Sequence, residues 1–227
     1  MWKAHDGQGR ALAAGHKQRR RKRPMQNNLL SAHSPLPIAH RRASMIFRTA
    51  WGWVGLSASA RGIRTIVLPK ASRREVERAL REEAPSSNGT PSPLAPRPSP
   101  ETEPVLHAAQ SQIMAFLAGQ RHDVDVPVDL SSGSAFQRRV WRAIRRIPYG
   151  RVRSYKWVAS RVGGARYARA VGLALGANPV PLVIPCHRVV TSGGSLGGFA
   201  GGLRLKRRLL ALEGSLAQLS GARGDRR

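Results

Sequence analysis

Cys186 is the only cysteine in the chain, and His187 beside it is the only histidine after His122. Glu213 is the only carboxylate between Asp129 and Asp225. Together these residues are the parts of an activated nucleophile. A thiol becomes reactive when a base takes its proton and local positive charge holds the thiolate. A histidine serves as that base best when a carboxylate sets its tautomer. Adjacent side chains diverge in extended chain, so the proton of Cys186 is expected to reach His187 through a bridging water. An inert buried thiol that happens to precede a histidine fits the same residue types, and both readings stay open at this level. A lone cysteine excludes an intramolecular disulfide framework and a cysteine-rich zinc site. Neither a metal nor a cofactor is expected.

The surroundings of these residues are strongly basic. The 227 residues carry 39 Lys+Arg against 12 Asp+Glu, a formal charge of +27. Such a chain calls for a polyanionic partner, and nucleic acid is the first candidate. From Ser131 to Leu212 there is no carboxylate, while sixteen Lys+Arg fall in the same stretch. A high arginine content spread over the chain explains some of that charge but not the missing acids. The longest apolar stretch, residues 171–185, is interrupted by Asn178 and Pro179, so no membrane span is expected. The charge run from Arg19 to Arg23 is not followed by an apolar export segment. A cytoplasmic protein is expected, nucleoid-associated if bacterial.

The elements that must position the site fall into two blocks. Residues 1–44 hold ten Lys+Arg and one acid, Asp6, without periodicity. They read as a disordered tail or as sequence upstream of a true start at Met45; a DNA-tethering or localisation arm at residues 16–24 is the alternative. Order is expected from Ile46. Apolar runs at 51–57 and 63–68 around Ala60-Arg61-Gly62 predict a hairpin. Ser72 with Glu75 predicts a capped helix carrying Val76 and Leu80. Residues 84–104 are Pro/Ser-rich and predict a loop, and a helical pattern resumes at 107–118 until Gly119. The second block, 130–217, opens on a helix over 136–147 with Ser134 as N-cap. Ser154 caps a helix over 155–162, Gly163-Gly164 turns, and a second helix covers 166–177, the outline of a helix-turn-helix. Residues 180–184 read as a buried strand or extended segment after a turn at Asn178-Pro179, and 218–227 as a tail.

That second helix is unusual for a DNA reader. Ala168, Ala170, Gly172, Ala174 and Gly176 are small, and no Asn, Gln or Glu is present to read base edges in the major groove. Small side chains let a helix approach the narrow minor groove, with Arg169 as the one long cation among them. Close helix–helix packing is the other reading of the same pattern.

IPCHRVV at 184–190, RAVG at 169–172, Asn178-Pro179 and GGFAGGL at 197–203 resemble the O6-alkylguanine-DNA alkyltransferase family, the methylated-DNA–protein-cysteine methyltransferases. Phe136-Gln137, Val140-Trp141, IPYG at 147–150, Ser154-Tyr155, Lys206, Leu209-Leu210 and Glu213 are similar to the same pattern, in the same order over about 80 residues. The resemblance implies an α+β chain: a small N-terminal α/β domain of ribonuclease-H-like type over 45–129, then an α-helical, winged-helix-like helix-turn-helix domain. It implies one irreversible transfer of an alkyl group from guanine O6, or thymine O4, to Cys186 in double-stranded DNA held by its minor groove, by a monomer. His187 would be the water-mediated base, Glu213 its orienting partner, Tyr155 the donor to guanine N3, and Asn178 the brace of the active-site turn. Arg169 would replace the rotated nucleotide, with Ala168, Ala170, Gly172 and Arg188 also at the DNA. Pro181, Val189, Phe199, Ala200 and Lys206 would form the base pocket. Phe199 stands where many members have Tyr, and Ala200 where Ser is common.

Three other readings fit the sequence less well. A non-enzymatic helix-turn-helix regulator does not account for Cys186 in its PCHR setting. A methylphosphotriester sensor needs a cysteine zinc cluster that a single cysteine cannot supply. Damage-binding relatives without transfer activity replace the cysteine.

Overall fold

The computed structural model describes residues 43–83 and 100–220. Residues 1–42 of the expected basic tail, residues 84–99 of the Pro/Ser-rich insertion and residues 221–227 lie outside the described residues. The first described element is an antiparallel meander of β1 (Ala43–Thr49), β2 (Gly52–Ser59) and β3 (Gly62–Lys70). Strand β1 is not among the elements expected from the sequence, and it already includes Ala43, ahead of Ile46. Period-two alternation explains it: Ala43, Met45 and Phe47 share one face, with Ala43 and Phe47 buried.

Each face of the sheet takes a helix. Ile46, Trp53 and Val67 meet Val76 and Leu80 of α1 (Arg73–Glu82). Gly55 lies on that face because a Cβ there would sit 2.4 Å from Val76 Cγ1 and 2.9 Å from Leu80 Cδ1. Ser72 caps α1 as its spacing with Glu75 predicts: its Oγ accepts the Glu75 N–H at 3.3 Å and donates to Glu75 Oε1 at 2.9 Å. The opposite face, through Phe47, Leu56 and Ile66, shares a core with Leu106, Ile113 and Phe116 of α2 (Glu103–Leu117). Helix α2 begins inside the stretch expected to be loop. Pro104 is tolerated there because first-turn N–H groups have no intrahelical acceptor.

The remaining elements are α3 (Ala135–Arg145), β4 (Arg153–Ser154), α4 (Tyr155–Val162), α5 (Ala168–Gly176), β5 (Val189–Val190), α6 (Leu203–Leu212) and α7 (Ala217–Ser220). Strands β4 and β5 pair in parallel. Ser134 forms a reciprocal cap with Gln137 at α3. Ser154 accepts the Trp157 N–H at 3.0 Å at the start of α4. Gly163 and Gly164, both with positive φ, make the turn after α4. The helix expected from Arg166 opens instead as a 3-10 turn, Ala165–Tyr167, and becomes α-helical at Ala168. The tail expected from 218 is also revised. Gln218 Nε2 donates to the Gly150 carbonyl at 2.6 Å, which ties α7 to the end of the α3 segment.

Strand β3 bonds along its outer edge to the end of its own block and, through Ile66, to the second block. Its Ile63 N–H donates to Pro127 O at 2.9 Å, and Asp129 N–H returns a bond to Ile63 O at 2.8 Å. Ile66 N–H donates to Pro179 O at 2.8 Å, beside the turn that carries the reactive residues. The outer edge of β3 is thereby paired rather than open. One apolar cluster runs from Phe47 and Ile66 through Trp141, Val171 and Ile184 to Cys186. Trp141, 1% exposed, also donates Nε1–H to Ala174 O at 2.8 Å, which locks α3 to α5.

Candidate active site

Residues 180–184 form a turn, not the strand expected from their apolar run. Pro181 and Ile184 bridge across it, Ile184 N–H donates to Val180 O at 3.0 Å, and Leu182 takes φ 76°. Leu182 is the one positive-φ residue other than glycine among the described residues, so the surrounding fold holds a conformation that a branched side chain disfavours. Asn178 is the brace. Its Nδ2 donates to Ile184 O at 2.8 Å and to Cys186 Sγ at 3.2 Å, while its Oδ1 accepts the Val180 N–H at 3.2 Å. One amide therefore sets both the turn and the sulfur.

Cys186 and His187 follow on a single 3-10 turn, Cys186–Arg188, and are 7% and 0% exposed. His187 Nε2 lies 2.8 Å from Glu213 Oε1. An ionised carboxylate only accepts, so this nitrogen carries the proton and Nδ1 keeps its lone pair. His187 Nδ1 has no hydrogen-bond partner among the described residues. The tautomer is that of a base with its free nitrogen unspent.

Arg188 corrects an expectation. Expected at the DNA, it is 5% exposed and turned to Glu213. Its Nε donates to both Glu213 oxygens at 3.0 Å, its second terminal nitrogen to Oε1 at 2.9 Å, and its first to Ile147 O at 2.7 Å. Gly150 N–H adds a bond to Oε2 at 3.2 Å. Burial alone would raise the Glu213 pKa, but the hydrogen bonds and charges of His187 and Arg188 outweigh it and hold the carboxyl below its ordinary 4.5. Burial lowers the His187 pKa below 6.5 even with Glu213 opposing, so the imidazole rests neutral. Burial raises the Cys186 pKa; the Asn178 hydrogen bond and the Lys206 charge work against that rise.

Lys206, expected in the base pocket, is held from below by carbonyls. It is 0% exposed, and its Nζ donates to Val189 O at 2.6 Å, to Leu196 O, and to Gly198 O at 3.2 Å. The ammonium spends its three protons on one β5 carbonyl and two of the loop before α6, and burial brings its pKa down to about 8. Val189 is likewise fully buried, so its side chain belongs to the core beneath the site. Tyr155 leads α4; its hydroxyl donates to Gly198 O at 3.4 Å. A Cβ on Gly197 would come within 2.8 Å of the Tyr155 hydroxyl and ring, so glycine is what lets the loop lie on Tyr155. Burial raises the Tyr155 pKa above 10, which keeps the phenol a proton donor. Pro181 is buried, Phe199 half-buried and Ala200 exposed.

On α5, Arg169 is exposed with no ion pair or hydrogen bond among the described residues, and Ala168, Ala170 and Gly172 are half-buried. Sequence reasoning missed Leu173, one turn beyond Arg169 and 74% exposed. It also missed the anchoring part of Arg188. The signal was present: with one carboxylate among sixteen cations, a buried arginine beside the histidine has a single charged partner available. Among the described residues, no group of three or more His, Cys, Asp or Glu is placed to hold a metal ion.

A family model described as 6-O-methylguanine DNA methyltransferase, DNA binding domain, matches residues 135–215. The chain is 52% identical over 113 residues to a methylated-DNA–protein-cysteine methyltransferase of Mycolicibacterium paratuberculosis, which covers 50% of this chain and 68% of the relative. It is 43% identical over 115 residues to the protein of that name from Methanosarcina acetivorans, over 51% of this chain and 73% of the relative. Among solved structures, Mycobacterium tuberculosis OGT in complex with DNA matches with TM-score 0.58 and 34% identity, over 77% of this chain and 94% of that one. With this overlap, and with the thiol, imidazole and carboxylate assembled as described, the chain belongs to the methylated-DNA–protein-cysteine methyltransferase family.

Proposed function

We propose that the protein repairs DNA by moving an alkyl group from O6-alkylguanine, and also from O4-alkylthymine, to Cys186 in one irreversible turnover. The observation that carries this reading is the relay itself. Cys186 is buried under the Asn178 amide, next to a histidine whose Nε2 is committed to Glu213 and whose Nδ1 is open. The Cys186 proton passes through a water to His187 Nδ1, and the buried carboxylate steadies the resulting imidazolium. The thiolate then attacks the alkyl carbon. A C–S bond forms, the C–O6 bond breaks, and its electron pair stays on the base, which takes a proton at N3 from Tyr155. The thioether has no resolving thiol, since Cys186 is the only cysteine, so the protein is consumed.

A base stacked in duplex cannot present O6 to a buried sulfur, so the nucleotide must rotate out at a cost of a few kcal/mol. Arg169 fills the gap, and the small residues Ala168, Ala170 and Gly172 let α5 enter the minor groove. Phe199 and Ala200 face the rotated base together with Pro181. The α4–turn–α5 unit beside the short β4–β5 pair supports a winged-helix-like domain over 130–217, and the meander with α1 and α2 supports a ribonuclease-H-like domain ahead of it. The protein acts as a monomer, because every group the reaction needs lies on one chain.

Intact mass after incubation with duplex containing O6-methylguanine tests the reading. One methyl, mapped to Cys186, is expected. An unmodified Cys186 at full DNA occupancy overturns it.

A further inference from the structure

Arginines in this protein are partnered in two ways. Outside the acid-free stretch they pair with carboxylates: Arg64 with Asp129 at 3.2 Å, Arg73 with Glu77 at 2.9 Å, Arg121 with Asp123 at 3.4 Å. Within it, several lie on aromatic faces instead. Arg139 stands over Phe136 and Arg166 over Tyr167. The densest case is Trp157, whose ring holds two guanidinium groups, Arg161 at 4.1 Å and Arg153 at 5.3 Å from its centroid.

The two modes leave different chemistry behind. An ion pair uses the N–H edge of a guanidinium, whereas stacking uses its face and leaves the N–H edge free for an anion. Arg161 makes no hydrogen bond or ion pair among the described residues, and Arg153 spends one donor, on Val152 O at 3.0 Å. Two like charges this close to one indole repel each other, and a nearby anion relieves that repulsion. Trp157 and Arg161 are four residues apart on α4, so they share a helix face, while Val158 and Ala159 turn into the core.

We infer that Arg153, Trp157 and Arg161 form a preorganised clamp for a DNA backbone phosphate, outside the helix that meets the lesion. This rests on the proposed reaction in so far as duplex DNA is the ligand. Helix α4 packs on α5 and is the first helix of the helix-turn-helix, the one that crosses the backbone in such units. A second copy of the chain is a poor occupant, since each carries a formal charge of +27. The indole's part is to restrain both guanidiniums before binding, so that little freedom is lost when the phosphate arrives.

The test is the affinity of the full chain for undamaged duplex across a salt series. Each phosphate contact contributes about 0.9 to the slope of log K against log salt. Arg161→Gln is expected to flatten the slope by about 0.9, and Arg161→Lys to restore most of it. Trp157→Leu keeps both cations, so it should hold the slope while weakening binding severalfold. An unchanged slope in the Arg153→Gln/Arg161→Gln double variant overturns the clamp and leaves an acidic protein as the alternative occupant. Reaction with free O6-benzylguanine, which needs no DNA backbone, is read on the same samples, and its loss in the double variant also overturns the proposal. If the unaltered chain binds duplex but takes no alkyl group from it, the proposed reaction falls while the slope comparison still decides the clamp.

Discussion

Glu213 holds two partners, and substitution can separate what each contributes. Glu213→Gln keeps the shape of the side chain but removes its charge, leaving Arg188, 5% exposed, without a counter-ion. Breaking a buried pair from one side costs about 3–5 kcal/mol. Arg188 retains its bond to Ile147 O and Gln can still accept, so the lower end, about 3 kcal/mol, is expected. The same substitution removes the charge that steadies a protonated His187. Positioned proton transfer contributes about 10²–10⁴ in rate, so alkylation should slow at least a hundredfold. Adding Arg188→Met removes the stranded cation, and apolar replacement of buried pairs is often neutral or better. The Arg188→Met/Glu213→Gln double variant should therefore recover most of the stability and none of the rate. Urea unfolding midpoints at constant m give the first quantity, and single-turnover transfer from O6-methylguanine duplex gives the second. A double variant that reacts at the wild-type rate refutes the carboxylate's part in the relay. One that stays as unstable as Glu213→Gln refutes the stranded-charge account.

Cys186→Ala should abolish transfer and leave duplex affinity within a few-fold, because phosphates are held by cations and backbone groups; gel-shift and mass measurements on one sample check both. Arg169→Ala should slow repair of duplex far more than reaction with free O6-benzylguanine, and the defect should shrink opposite a mismatch, where the base unstacks more easily. Equal single-turnover rates at saturating matched duplex would eliminate a stacking part for Arg169. Stability should fall on acidification in two steps. The folded pKa of His187 lies below 6.5, so the unfolded chain binds the extra proton as pH drops from about 6.5 and stability declines there. The folded pKa of Glu213 lies below 4.5, so its contribution is complete above about 4.5 and is lost as pH falls through the folded value. Unfolding midpoints across pH 3–8 should lose the upper step in His187→Gln.

Features that are local or rest on residue type alone are legible in the chain. Capping serines at 72, 134 and 154 act through bonds spanning three residues, so their helices were legible from spacing. The single cysteine, its neighbouring histidine and the isolated Glu213 limited the possible relay to one set of groups. Tertiary structure decided everything that depends on who else stands nearby. Residues 180–184 are apolar enough for a strand, but Asn178 reaches across to Ile184 and Cys186 and makes the segment a turn. Arg188 and Lys206 carry full charges that a sequence places on a surface or at a pocket wall. Both are buried, because Glu213 just past α6 completes the bonding of Arg188, and the carbonyls of Val189 in β5 and of Leu196 and Gly198 in the loop before α6 complete that of Lys206. Burial of a charge is a property of its partners, and partners 25 residues away in the chain, as Glu213 is from Arg188, are brought together only by the fold.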